Sequence, residues 1–123
     1  MQSSQKVQFI PKDKKAMIPK KHSDGAAGYD LFTPVGDCIL PNTTKIIRLE
    51  FSLKIPSNLL GYICGRSGLA LKYGIGVKCS YVRDDQDLEV YLHNNSENKF
   101  KFEQGDRIAQ LVFLKLTEPK IIE

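Results

Sequence analysis

The stretch Ile47-Arg48-Leu49-Glu50-Phe51-Ser52-Leu53-Lys54-Ile55 constrains the fold more than any other, because apolar residues stand at every second position with polar ones between them. Successive side chains of a strand point to opposite faces, so the pattern fits a β-strand with one face buried and the other wet. Pro41-Asn42 precedes it and Pro56-Ser57-Asn58 stops it, since proline removes a ladder donor and asparagine tolerates unusual backbone angles. Shorter strands are predicted at residues 6–10, 29–32, 60–64, 75–82, 88–93, 100–102 and 108–116, mostly separated by glycine, proline or asparagine clusters. Helical period is confined to residues 67–73, enough for a turn or two. The expected class is all-β, with at most one short helix.

At 123 residues and 41% apolar, the chain can bury one core and is too short for two. Its charge of +4 is unevenly placed. Residues 1–24 hold six lysines against Asp13 and Asp24, whereas residues 25–123 carry twelve basic and twelve acidic groups. The reading is a basic N-terminal arm with a first strand over 1–24, solvated and partly mobile, followed by a neutral β domain over 25–123. Nucleic acid is not expected as a partner. Cys38, Cys64 and Cys79 form no Cys-x-x-Cys pair, which argues against a disulfide framework or a zinc knuckle and for buried free thiols. That places the chain in a reducing compartment, cytoplasm or nucleus. With no N-terminal apolar leader and no 18-residue apolar run, neither secretion nor membrane spanning is expected.

Three segments do not read as packing. Gly25-Ala-Ala-Gly-Tyr-Asp-Leu31 sets Asp30 at a strand start, where a carboxylate can hold a metal-bound water. Cys64-Gly-Arg-Ser-Gly-Leu-Ala70 flanks Arg66 and Ser67 with glycines, so amides, a hydroxyl and a guanidinium can converge on a phosphate. Gly105-Asp-Arg-Ile-Ala-Gln110 opens the last strand with a turn in which Asp106 and Arg107 can pair. Residues 108–114 are apolar on both faces except for Gln110, which implies a second cover such as an oligomer interface. His22 and His93 have no ligand-spaced companion and receive no chemistry.

In this order and spacing the three segments resemble the motifs of the trimeric dUTP pyrophosphatase (dUTPase) family: AGYDL at 27–31 the first, GRSGLA at 65–70 the second, GDRIAQLV at 105–112 the fourth. The resemblance runs from about Ile10 to Leu114 and implies a small dUTPase-like β barrel or jelly roll, assembled as a homotrimer with active sites at its interfaces. It implies water attack on the α-phosphorus of dUTP, giving dUMP and pyrophosphate with Mg²⁺ on the triphosphate. Asp30 would then orient Mg²⁺-bound water, Arg66, Ser67 and Gly68 would hold phosphate oxygens, and Gln110 would contact the reacting phosphate.

The family's third motif, of the type Gly-Val-Ile-Asp-x-Asp-Tyr-x-Gly, supplies the general base and a tyrosine that packs on the sugar. Here the corresponding stretch is Cys79-Ser80-Tyr81-Val82-Arg83-Asp84-Asp85-Gln86-Asp87, about two residues shorter, with Arg83 at the position of the base and no sugar-packing tyrosine. A guanidinium stays charged and has no lone pair for a proton. Losing a general base costs about 10²–10⁴ in rate, which Asp84 or Asp85 could restore only from within hydrogen-bond reach of the attacking water. Tyr81 reads as packing. The fifth motif, a glycine-rich C-terminal arm with an arginine and an aromatic residue, is not matched by Lys120-Ile121-Ile122-Glu123. The expectation is a dUTPase-fold pseudoenzyme with impaired or absent hydrolysis that binds a protein partner of unknown identity, similar to the short dUTPase-derived early proteins of adenovirus type. The alternatives are an active Mg²⁺-dependent dUTPase using Asp84 or Asp85 as base, and a nucleotide-binding sensor without turnover. A relative of the dCTP deaminases ranks last.

Overall fold

The computed structural model describes residues 5–123. Their strands are β1 (Gln8–Pro11), β2 (Lys20–Lys21), β3 (Tyr29–Phe32), β4 (Asp37–Ile39), β5 (Thr44–Lys54), β6 (Leu59–Cys64), β7 (Ile75–Val77), β8 (Ser80–Val82), β9 (Asp87–Asn94), β10 (Phe100–Phe102) and β11 (Arg107–Lys115), with a single helix, α1 (Ser67–Tyr73). The all-β expectation holds. All ladders are antiparallel, in a four-stranded sheet of order β1-β5-β9-β7, a five-stranded sheet of order β2-β3-β11-β6-β8, and the pair β10-β4.

The alternating stretch is the backbone of the first sheet. Ile47, Leu49, Phe51, Leu53 and Ile55 are all buried, as the pattern requires. Its register with β9 slips between Arg48 and Ser52, where Glu50 takes a left-handed φ of 64°. Such a bulge bends the strand and increases its twist, which lets so long a strand stay wrapped over the core. Leu31, Ile63, Ile108 and Leu111 of the second sheet are buried in the same core. Asn94 is wholly buried, and its side chain donates to the carbonyls of Ile39 and Asn98 (2.9 and 2.8 Å) and accepts from the Ser96 amide and hydroxyl, linking β9 to the end of β4.

Several boundaries differ from those read in the sequence. The segment 75–82 is two strands in different sheets: β7 pairs with β9, and β8 pairs with β6. A stretch with no glycine, proline or asparagine inside it beyond Gly76 does not reveal where a chain changes sheets, and Lys78-Cys79 is that crossing. The strands β2 and β4 lacked any alternation to announce them. The first segment is woven into the fold more than a solvated arm would be, since β1 pairs with β5, β2 pairs with β3, and Lys12 pairs with Asp87; residues 1–4 lie outside the described residues. The cysteines are free, as expected, but Cys79 is exposed and Cys38 and Cys64 are only partly covered, so the buried-thiol expectation is corrected. Among the described residues no helix is long and apolar enough to cross a membrane.

Candidate functional site

The three motif segments come together because their strands are neighbours. In the order β3-β11-β6, Gln110 stands opposite Asp30 on one side and opposite Cys64 on the other. Directly opposed residues of an antiparallel pair share a face, so a single rung gathers the first, second and fourth segments. Gln110 is held there by its side-chain amide, which donates to the Gly65 carbonyl at 3.2 Å. Gly28 makes room for it: a Cβ at that position would stand 3.1 Å from Gln110 Oε1 and 3.2 Å from the Leu111 carbonyl oxygen.

Around Asp30 the chain arranges two guanidiniums. Arg107 Nη1 lies 3.3 Å from Asp30 Oδ2 and Arg66 Nε lies 3.9 Å from Oδ1, so each carboxylate oxygen faces a different arginine. The Asp30 side chain is only 13% exposed, which shields these contacts from solvent more than a surface pair would be. The expected Asp106–Arg107 pair does not form. Asp106 instead closes its turn by accepting from the Glu103 amide at 2.8 Å, leaving Arg107 to reach across to β3. Arg107 Nη1 also lies 3.2 Å from His22 Nδ1. Arginine has donors only, so Nδ1 is the acceptor and the imidazole carries its proton on Nε2. No residue pattern marks His22 as a site neighbour, because its placement follows from the two-residue ladder of β2 on β3, too short to carry a pattern. His93 Nδ1 bonds the Thr44 hydroxyl, apart from this cluster.

Ser67 and Gly68 are exposed at the start of α1, after Arg66 in extended conformation, and no side chain caps that end. The first amides of a helix have no intrahelical acceptor, so these remain available to a ligand. From Arg66 and Arg107 a groove of about 450 Å³ runs past Tyr73, Phe100, Lys99 and Lys101. Its four cations face it with Asp106 as the carboxylate among its lining residues, which suits a polyanion. No group of three or more His, Cys, Asp or Glu is assembled among the described residues. A lone carboxylate beside guanidiniums fits a magnesium ion that arrives with a triphosphate, since Mg²⁺ is commonly held by one or two carboxylates plus phosphate oxygens and waters.

Asp84 and Asp85 sit elsewhere. The loop VRDDQD is pinned to the end of β5: Asp84 Oδ1 accepts from the Ile55 amide at 2.8 Å, the Asp85 amide donates to the Leu53 carbonyl at 2.8 Å, and Asp85 pairs with Lys54 at 3.3 Å. Gln86 closes the tip by accepting from the Arg83 amide at 3.1 Å. Among the described residues the Arg83 guanidinium makes no ion pair. Tyr81 packs its ring 5.3 Å from that of Tyr62.

The dUTPase family model matches residues 14–123. Among curated relatives, the deoxyuridine 5'-triphosphate nucleotidohydrolase of Encephalitozoon cuniculi (strain GB-M1) is 39% identical over 109 residues, covering 87% of this chain and 76% of its own. That of Fowlpox virus (strain NVSL) is 39% identical over 111 residues, covering 89% and 77%. That of Vaccinia virus (strain Copenhagen) is 35% identical over 119 residues, covering 95% and 80%. Among solved structures, a variant of the Staphylococcus bacteriophage 80alpha dUTPase superposes with a TM-score of 0.89 at 20% identity, covering 98% of this chain and 90% of its own. A dUTPase from phage phi11 of S. aureus, described with a structural Mg(II) ion, gives 0.87 at 18%, covering 97% and 96%, and these two likenesses speak for the fold. A family match over nearly the whole chain, joined to one rung that carries the residues of three of its motifs, means that the chain belongs to the dUTPase family.

Proposed function

We propose that the chain binds dUTP or a closely related nucleotide through Asp30, Arg66, Ser67, Gly68 and Gln110, hydrolyses it poorly or not at all, and works as a binding protein on the dUTPase scaffold. The observation that carries this reading is the state of the third segment. Arg83 stands where the family pattern has its base, while both neighbouring aspartates are engaged with the end of β5. For Asp84 to swing away from β5 and act as base, it must leave the Ile55 amide without a partner, at about 1–3 kcal/mol. The phosphate half is intact. Arg66 and Arg107, with the uncapped amides of α1, offer charge and donors to a triphosphate, and such preorganised donors act without reorganisation.

Asp30 would hold Mg²⁺ through water, and the ion would neutralise charge on the triphosphate. Three copies would build each complete site, with the partly exposed Leu114 and Leu116 near the end of β11 offering apolar surface to a neighbour. A second reading, supported by the names of the relatives at 35–39% identity, is a working dUTPase whose hairpin opens on assembly to present Asp84 or Asp85.

A pyrophosphate-release assay with dUTP and Mg²⁺ separates the two. Turnover below about 0.1 per second is expected, against a median near 10 per second for enzymes. Faster turnover that Asp30→Ala abolishes would establish the second reading. Calorimetry with a non-hydrolysable dUTP analogue should show saturable binding that Arg66→Ala weakens. Sedimentation should give three times the 13.9 kDa chain mass; a monomer would remove the shared-site argument.

A further inference from the structure

The rung through Asp30, Gln110 and Cys64 continues onto the edge strand. Strand β8 pairs with β6 in the register Gly61↔Val82, Tyr62↔Tyr81, Ile63↔Ser80, and continuing that register one step past the end of the ladder brings Cys79 opposite Cys64, which the influence of Cys79 on the Cys64 thiol supports. The faces agree with this extension. Ile63 and Val82 point into the core, whereas the tilted rings of Tyr62 and Tyr81 pack with centres 5.3 Å apart on the other face, the face to which Cys64 and Cys79 also belong. Opposed residues of an antiparallel pair have Cα atoms about 4.5–5.5 Å apart, within the roughly 4.4–6.8 Å that a disulfide requires.

We propose that Cys64 and Cys79 form a redox-active dithiol beside the phosphate cradle, a modification site that glutathione disulfide converts reversibly to an intramolecular disulfide. The two thiols differ in ways that assign their parts. Cys79 is exposed, so it meets the oxidant. Cys64 is partly covered; burial pushes its thiol up, the nearby Cys79 adds to this, and a hydrogen bond with the Gln110 amide partly offsets it. Hydrogen bonding with the Cys79 thiol is the first cause that holds the Tyr62 phenol above its usual 10.0, which sets Cys79 beside Tyr62 on the face that Cys64 shares.

The Cys79 thiolate attacks one sulfur of glutathione disulfide, and one glutathione leaves as thiolate. The Cys64 thiolate then attacks the Cys79 sulfur of the mixed disulfide, and the second glutathione leaves. Two protein thiols lose two electrons and two protons, and the oxidant becomes two molecules of glutathione. The bond would tie β8 to the residue immediately before Gly65 and Arg66, and would draw the Cys64 sulfur away from Gln110.

The experiment needs no nucleotide and is independent of the proposed function. The whole protein is equilibrated with glutathione disulfide, quenched with acid, and examined by thiol titration, intact mass and peptide mapping. Free thiols should fall from three per chain to one, the mass should drop by two hydrogens, and one linked peptide should contain Cys64 and Cys79, all reversed by reduced glutathione. Cys38→Ser should still form the link, whereas Cys64→Ser and Cys79→Ser should not. The proposal is overturned if all three thiols persist, if Cys79 stays as a mixed disulfide, or if the link joins Cys38 or a second chain.

Discussion

Replacing Gly68 with alanine tests the phosphate cradle by separating what the fold needs from what a ligand needs. Gly68 is the second residue of α1, its φ is outside the left-handed region, and a Cβ built on it meets nothing within 4 Å. Nothing in the chain's own packing requires glycine there. Alanine should therefore stabilise the protein by about 0.4–1 kcal/mol, mainly by restricting the unfolded chain. With an unfolding entropy of about 2.1 cal/mol/K per residue over a chain of 123 residues, that is a rise in melting temperature of roughly 1.5–4 °C. If the Gly68 amide approaches a phosphate, the same methyl group crowds the ligand at about 1–3 kcal/mol, or roughly 5- to 150-fold in affinity. The assay is thermal unfolding beside calorimetry with a non-hydrolysable dUTP analogue. Gly28→Ala gives the contrast: its Cβ would meet the Leu111 carbonyl oxygen and Val112 Cγ2, both at 3.2 Å, so its melting temperature should fall. A Gly68→Ala protein that melts higher but binds the analogue as tightly as before would refute the placement of phosphate at α1. One that melts lower would refute the packing argument.

Asp84→Ala removes the acceptor of the Ile55 amide and should cost about 1–3 kcal/mol, read as a lower urea midpoint at unchanged slope; no change would mean that the tip is not pinned. Phe51→Ala, in the wholly buried centre of β5, should cost about 3–5 kcal/mol by the same measurement. The Lys45 side chain, 2.6 Å away, and then the Cys38 amide hold the Asp37 carboxyl below its usual 3.8. A depressed folded value stabilises the fold at pH above 3.8 and is lost as pH falls through the folded value, so Asp37→Asn should flatten the acid limb of stability against pH. An unaltered limb would show that the pair does not act in solution.

The sequence was most legible where one residue pattern served both the core and the site. In β5 the apolar alternation predicted the burial of every apolar residue from Ile47 to Leu53, with Ser52 buried against the pattern, and it survived a bulge because Glu50 absorbed the extra length outside the core. The motif strands were legible for a related reason, since Leu31, Ile63, Ala109 and Leu111 are buried immediately beside Asp30, Cys64 and Gln110. What stayed hidden depended on contacts far apart in sequence. His22 reaches the site through a two-residue ladder, Arg107 chose Asp30 over its neighbour Asp106, and Cys79 comes near Cys64 only because 75–82 divides between sheets. Neither periodicity nor composition carries that information.

The two parts of the candidate site are held by different physics, so one can change while the other stands. Asp30 and Gln110 lie on adjacent strands whose alternate residues fill the core, so a slip of one residue would turn both inward and expose Leu31 and Leu111. The cradle cannot be lost without losing the sheet. Residues 83–87 are all exposed, and the tip is fixed through backbone amides and two aspartates that reach toward β5. No core contact depends on whether position 83 holds an acid or a base. A change of charge there would therefore leave folding untouched, so the hairpin tip can vary while the rung through Asp30, Gln110 and Cys64 stays fixed by the core on its other face.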